Sequence, residues 1–196
     1  AEVDAIGSEG MTALYWTIAK QSFTGFQFLL EHGANPDTLT RWIDANGVEQ
    51  WASVIELAAL LEDSRYLQAL LDAGSNPNQI VNVSQQTPIY TALLHGRYEN
   101  ASLLIKNGAN LDHQSKSLTT PINRAVSEGA YASALFLLRA GADPKLKDRW
   151  GYSAIDTAKK FGDRGVVVGS ADELAYPQFV SELKRRSLWD EHESEP

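Results

Sequence analysis

Residues Thr120 to Asp143 read TPINRAVSEGAYASALFLLRAGAD, and this stretch recurs, blurred, along the chain. It matches Thr12–Asp37, Ser53–Asn78 and Thr87–Asp112, with a partial fifth copy from Ser153. Each copy opens on Thr or Ser, carries Leu-Leu or Leu-Ile seventeen residues on, and has glycine twenty-one residues after the opener. The pairs are Leu29-Leu30, Leu70-Leu71, Leu104-Ile105 and Leu137-Leu138; the glycines are Gly33, Gly74, Gly108 and Gly141. Openers lie 41, 34, 33 and 33 residues apart, so the first copy carries an insertion. A fixed period in this range is the mark of stacked repeats, in which each unit is too small to bury its own apolar face.

Within a copy, apolar residues recur at helical spacing in two runs joined by a tight turn, as at Leu14 and Ile18, then Phe26, Leu29 and Leu30. The expected helix pairs are 13–20 and 23–31, 54–62 and 64–72, 88–95 and 98–107, and 121–127 and 131–140. The fifth copy offers 154–161 and, after an interruption over 163–171, an amphipathic helix over 177–186 with Phe179, Val180 and Leu183 on one face. Pro88 and Pro121 follow their openers, the first helical position, where a missing N–H is no loss. Glycine after each second helix suits a left-handed turn, and Asn-Pro-Asp then directs the chain away. The insertion over 38–52 holds Trp42 and Trp51 around Asn46-Gly47, a hairpin-turn signal, and reads as an enlarged finger.

The Thr-Pro-x openers, the Leu-Leu pairs and Gly33-Ala34-Asn35, Gly108-Ala109-Asn110 and Gly141-Ala142-Asp143 together resemble the ankyrin repeat. The resemblance covers about residues 9–162 in four full copies and extends to the tail. It implies an all-α solenoid of stacked helix-turn-helix units with β-turn fingers. The expected organisation is one domain over 1–189, with repeats at 9–41, 50–83, 84–116, 117–149 and a divergent cap at 150–187, followed by an acidic disordered tail, 190–196. One departure matters. The histidine that the family places three residues after the opener is replaced by Tyr15, Glu56, Tyr90, Asn123 and Asp156. The backbone groups that histidine serves must here be satisfied in another way.

Seventeen basic and 25 acidic side chains set a formal charge of −8. That field repels nucleic acid and favours a protein partner with a basic surface. No apolar run is long enough to span a bilayer. There is no cysteine, which removes disulfides and thiolate chemistry. The chain opens Ala-Glu-Val-Asp-Ala rather than with Met, giving the expectation of an exported protein, periplasmic or secreted, with a cytoplasmic one as the alternative.

Nucleotide-loop and nucleophile-elbow motifs are absent, and the four histidines never fall three or four residues apart, so no catalytic, metal or cofactor site is expected. The resemblance implies instead a non-enzymatic protein-binding module, monomeric when unbound, that grips one partner on a concave face. An inhibitor, immunity or accessory protein of an exported enzyme is the expected role. A secreted effector engaging a host protein is the alternative, and an enzyme on a solenoid scaffold the rival. Counting from the openers places Leu61, His95, Glu128, Lys160 and Phe161 on that face. The fingers add Trp42, Glu49, Gln50, Trp51, Gln86, Lys116, Arg149, Trp150 and Tyr152. Aromatic residues and Arg dominate binding energy in protein interfaces, which makes the rings near each end the prime candidates.

Overall fold

Four of the five openers do what a Ser or Thr before a helix does best. The hydroxyls of Thr12, Ser53, Thr120 and Ser153 accept from the backbone N–H three residues on, at 3.1–3.3 Å, satisfying one of the unpaired donors of the first turn. Thr87 is the exception: its hydroxyl is buried and has no partner among the described residues. The computed structural model describes residues 2–8, 10–43, 49–80, 84–162 and 170–189, and at 42, 43, 49 and 50 the backbone alone.

Contacts group the chain into two compact units, residues 1–110 and 111–196. In the first unit the pairs are α1 (Ala13–Ala19) with α2 (Phe23–Glu31), α3 (Val54–Leu60) with α4 (Arg65–Asp72), and α5 (Pro88–Leu94) with α6 (Tyr98–Lys106). First helices pack on first helices, α1 on α3 on α5, and second helices likewise, α2 on α4 on α6. In the second unit α7 (Pro121–Ser127) pairs with α8 (Tyr131–Ala140) and packs on α9 (Ala154–Phe161). Helix α10 (Ala171–Arg185) lies against α8 and so takes the place of a second helix in the fifth copy.

The helices between 13 and 161 lie where the periodicity puts them, within a residue or two at their ends. The last does not. The expected start at Pro177 moves back to Ala171, because Ser170 caps the helix and Asp172 and Glu173 complement its positive end. Pro177 is tolerated inside it, exposed, while Ala175, Phe179 and Leu183 at spacings of four are buried. Tyr131 of α8 packs against Tyr176 and Phe179 and donates through its hydroxyl to the Gly162 carbonyl at 2.5 Å. Asp172 in turn accepts from the Ala132 N–H at the start of α8, at 2.8 Å. The interruption read over 163–171 falls mostly outside the described residues, as does the 190–196 tail.

The enlarged finger is a two-stranded antiparallel hairpin, β1 (Leu39–Ile43) with β2 (Glu49–Ser53), in the register Leu39–Ser53 through Ile43–Glu49. Its Asn-Gly turn lies outside the described residues. Elsewhere the finger turns need a left-handed residue two positions before the opener. Glycine supplies it at Gly10 and Gly151, whereas Gln85 and Leu118 adopt it at φ near 56°.

The Gly-Ala-Asn/Asp turns are tied together by a ladder that runs from copy to copy. Asp37 accepts from the Asn76 N–H at 2.9 Å and the Ser75 hydroxyl at 2.7 Å. Asn78 accepts from the Asn110 N–H at 2.6 Å and donates to the Gly108 carbonyl at 3.0 Å. In the second unit Asp112 accepts from the Asp143 N–H at 2.8 Å. The first rung comes from ahead of the first copy: the Asp4 carboxylate accepts from the Asn35 N–H at 3.0 Å, in the position Asp37 and Asp112 hold later.

The missing family histidine has several substitutes. Asn123 Nδ2 donates to the Leu146 carbonyl at 2.8 Å, while Asp156 closes a capping box by accepting from the Ser153 N–H and hydroxyl. Glu56 reaches the Thr91 hydroxyl at 3.4 Å.

Candidate binding surface

The last described finger is built by one carboxylate. Asp148 Oδ1 accepts from the N–H groups of Trp150 and Tyr152 at 2.9 and 3.0 Å, and its own N–H donates to the Tyr152 carbonyl. Gly151, at φ 82°, allows the reversal. The finger is fastened to its neighbour through Arg149. Its N–H donates to the Ser117 carbonyl at 3.1 Å and its guanidinium to the Lys116 carbonyl at 3.2 Å.

This arrangement turns the side chains outward. Trp150 is 66% exposed and Phe161 47%, with Tyr152 and the stems of Lys116, Arg149 and Lys160 also exposed. Lys160 stands 4.5 Å from the Tyr152 ring centre and 5.5 Å from that of Phe161, and its ammonium donates to the Tyr152 hydroxyl at 2.8 Å. Arg149 lies 5.8 Å from the Trp150 ring. These spacings are those of cations held on aromatic faces, a geometry that keeps long side chains upright rather than collapsed. Six of the residues singled out from the sequence thus share one surface. Glu128 lies in the same unit, at the end of α7, but is neutralised by Arg124 at 2.5 Å.

In the first unit the candidates divide. Trp51 on β2 is 42% exposed, with Arg41 on the paired position 5.8 Å from its ring. The side chains of Trp42, Glu49 and Gln50 lie outside the described residues. His95 caps α5 and is exposed beside Leu94. Two candidates serve the framework instead. Leu61 ends α3, half-buried, and its carbonyl accepts from Asn100 Nδ2 at 2.8 Å; the same nitrogen reaches the Ala59 carbonyl at 3.0 Å. Gln86 is half-buried and engaged. Counting positions identifies the helix face but cannot tell that Leu61, the residue after α3, is extended at ψ 155°, where its counterparts Lys20, His95 and Glu128 close their helices with ψ between −1° and 10°.

Trp16 was missed. It sits on α1, 36% exposed, with Lys20 5.5 Å from its ring, and the Trp-x-x-x-Lys spacing on a short first helix was the available signal. His32 caps α2: its Nδ1 lies 2.8 Å from the Phe28 carbonyl and its ring stacks on Phe28. Among the described residues no three His, Asp or Glu side chains gather as metal ligands, and no helix is long and apolar enough to cross a membrane.

A family model of ankyrin repeats, in three copies, matches residues 55–148. That segment of the chain carries ankyrin repeats. Two relatives are similar over part of the chain. Protein PhlB of Serratia liquefaciens is 33% identical over 104 residues, 53% of this chain and 42% of that protein. The potassium channel GORK of Arabidopsis thaliana is 30% identical over 131 residues, 64% of this chain and 12% of the channel. The chain therefore spans less than half the length of either. Ankyrin repeats are protein-binding scaffolds, so the chain contains a protein–protein interaction module. The helix pair α1–α2 and the α9–α10 pair lie beyond the matched segment and rest on the structure.

Proposed function

We propose that the protein binds one protein partner through its fingers and the exposed side of its first helices, with the Trp150–Tyr152–Lys160–Phe161 surface as its main contact. One observation carries this reading: those rings and cations are exposed, while the bonds that hold neighbouring copies together are made by other groups, Asp112, Asn123 and the Arg149 backbone among them. The side chains of Trp150, Tyr152, Lys160 and Phe161 thus stand apart from those bonds yet are held in place. A surface ordered before binding loses little conformational entropy on association, which suits a tight inhibitor or accessory subunit. We extend the proposal to that role, directed at an exported enzyme.

The test is capture of partners from envelope and cytosolic fractions of the source organism, with the chain and with Trp150→Ala/Tyr152→Ala. A stoichiometric partner lost in the double variant, whose enzymatic activity the intact chain alters, is the expected result. A partner retained at full strength by the double variant moves the site away from this surface. Absence of any partner in all fractions overturns the reading.

A further inference from the structure

The cations of this surface differ from five arginines elsewhere in the chain. Arg65, Arg97, Arg124, Arg185 and Arg186 each face a carboxylate, of Asp63, Glu62, Glu128 and, for the last two, Glu182. Among the described residues, Lys116, Arg149 and Lys160 form no ion pair; the Arg149 guanidinium stands beside the Lys116 carbonyl and the Trp150 ring, and Lys160 beside the Tyr152 ring. Over residues 144–161 there are five basic side chains (Lys145, Lys147, Arg149, Lys159, Lys160) and two acidic ones (Asp148, Asp156), a balance of +3 in a chain of −8. The two acids are also the two that the fold occupies. Asp148 holds the finger turn, and Asp156 accepts from both the N–H and the hydroxyl of Ser153. What meets solvent is cationic and aromatic.

Resting on the binding function just proposed, we infer that this surface receives a short acidic peptide segment of the partner, its carboxylates on Arg149, Lys160 and Lys116 and its apolar side chains on Trp150 and Phe161. The overall charge of −8 argues for a basic partner at long range, but at physiological salt fields are screened beyond about 8 Å. Within that distance the segment meets the local balance, not the total. An extended polyanion such as nucleic acid would span several such lengths and meet the acidic remainder of the chain. Carboxylates of a peptide would displace no internal ion pair, and at Arg149 and Lys160 they would gain a cation already held beside a ring.

Panning short random peptides on the full chain, followed by fluorescence anisotropy with the enriched peptides, tests this. Enriched peptides should carry an excess of Asp and Glu beside aromatic or aliphatic residues, and their affinity should fall as salt rises. Trp150→Ala and Lys160→Glu should each weaken binding by about tenfold or more. Arg149→Gln/Lys160→Gln is the milder companion, and circular dichroism confirms that each variant is folded. Enrichment of basic or neutral peptides overturns the inference, as does acidic-peptide binding indifferent to these substitutions. So does binding that appears only when Asp190→Asn, Glu191→Gln, Glu193→Gln and Glu195→Gln are made together, because the surface would then belong to the chain's own acidic end. Peptides that depend on Trp51 and Arg41 would sink the acidic-segment inference while leaving the protein-binding function standing. Failure of both panning and partner capture would remove both.

Discussion

Asn123 Nδ2 donates to the carbonyl of Leu146 at 2.8 Å, across 23 residues of sequence, from a side chain only 4% exposed. This bond pins the segment leading into the Asp148–Tyr152 finger to α7. It also answers how the chain manages without the histidine that the ankyrin pattern places here. Truncation leaves a buried carbonyl without its donor, which costs about 1–3 kcal/mol. Asn123→Ala should therefore lower stability by that amount in chemical denaturation. Asn123→Asp, which keeps the shape but points an acceptor at an acceptor, should cost more. A loss within about 0.5 kcal/mol for both would mean the bond does not hold the finger.

Leu104 and Leu137 are fully buried on second helices, one in each unit. Replacing either by Ala removes the transfer free energy of the side chain and leaves a cavity, together roughly 2–5 kcal/mol. Thermal unfolding of Leu104→Ala and Leu137→Ala checks this. A melting temperature shifted by less than a couple of degrees in either would contradict the repeat register.

Leu118 adopts a left-handed backbone, φ 57°, in the finger before Thr120, with its side chain exposed. A Cβ there costs about 1–2 kcal/mol, and glycine's greater freedom in the unfolded chain returns roughly half of that. Leu118→Gly should stabilise the protein by about 0.5–1 kcal/mol. The reverse experiment is Gly151→Ala, at φ 82°, where a Cβ would meet nothing within 4 Å, so any loss is conformational. If Leu118→Gly destabilises, the side chain has a packing role that outweighs its backbone strain.

Asp156 yields a pH prediction. Burial works to raise its carboxyl pKa, but hydrogen bonds from the Ser153 N–H and hydroxyl, with Lys147 and Lys159 nearby, outweigh it and hold the group below its ordinary value of 3.8. A pKa lowered by folding contributes stability that is present above 3.8 and is lost as pH falls through the lower folded value. Asp156→Asn should therefore be destabilising at neutral pH, and the gap to the parent should narrow below about pH 4. A gap of constant size from neutral pH down to about pH 3 would show that the charge contributes nothing.

The helix pairs were legible because their determinants are local. Apolar spacing, Ser or Thr openers, Pro88 and Pro121, and the glycines that end each pair act over a turn or two of chain. Trp150, Tyr152 and Phe161 were legible too, since register counting puts them on a finger and a first helix. Leu61 was not. Its fate depends on Asn100, 39 residues on, which gathers the carbonyls at the end of α3. Lys160 was expected on the surface, but its placement over Tyr152 comes from the finger folding back along α9.

By itself, then, the sequence determined the repeat, its register and the outward positions of most candidate residues, because periodic burial and helix ends depend on near neighbours. Tertiary structure alone decided the ladder from Asp4 to Asn35 and onward, the use of Asn123 in place of histidine, and the earlier start of α10. It also decided that Asp148 and Asp156 are consumed within the fold while Lys116, Arg149 and Lys160 are left to solvent. The physical reason is common to all of them. A hydrogen bond between copies joins groups some thirty residues apart, and several side-chain types can make it equally well, so the periodic pattern leaves the choice open until the copies are stacked.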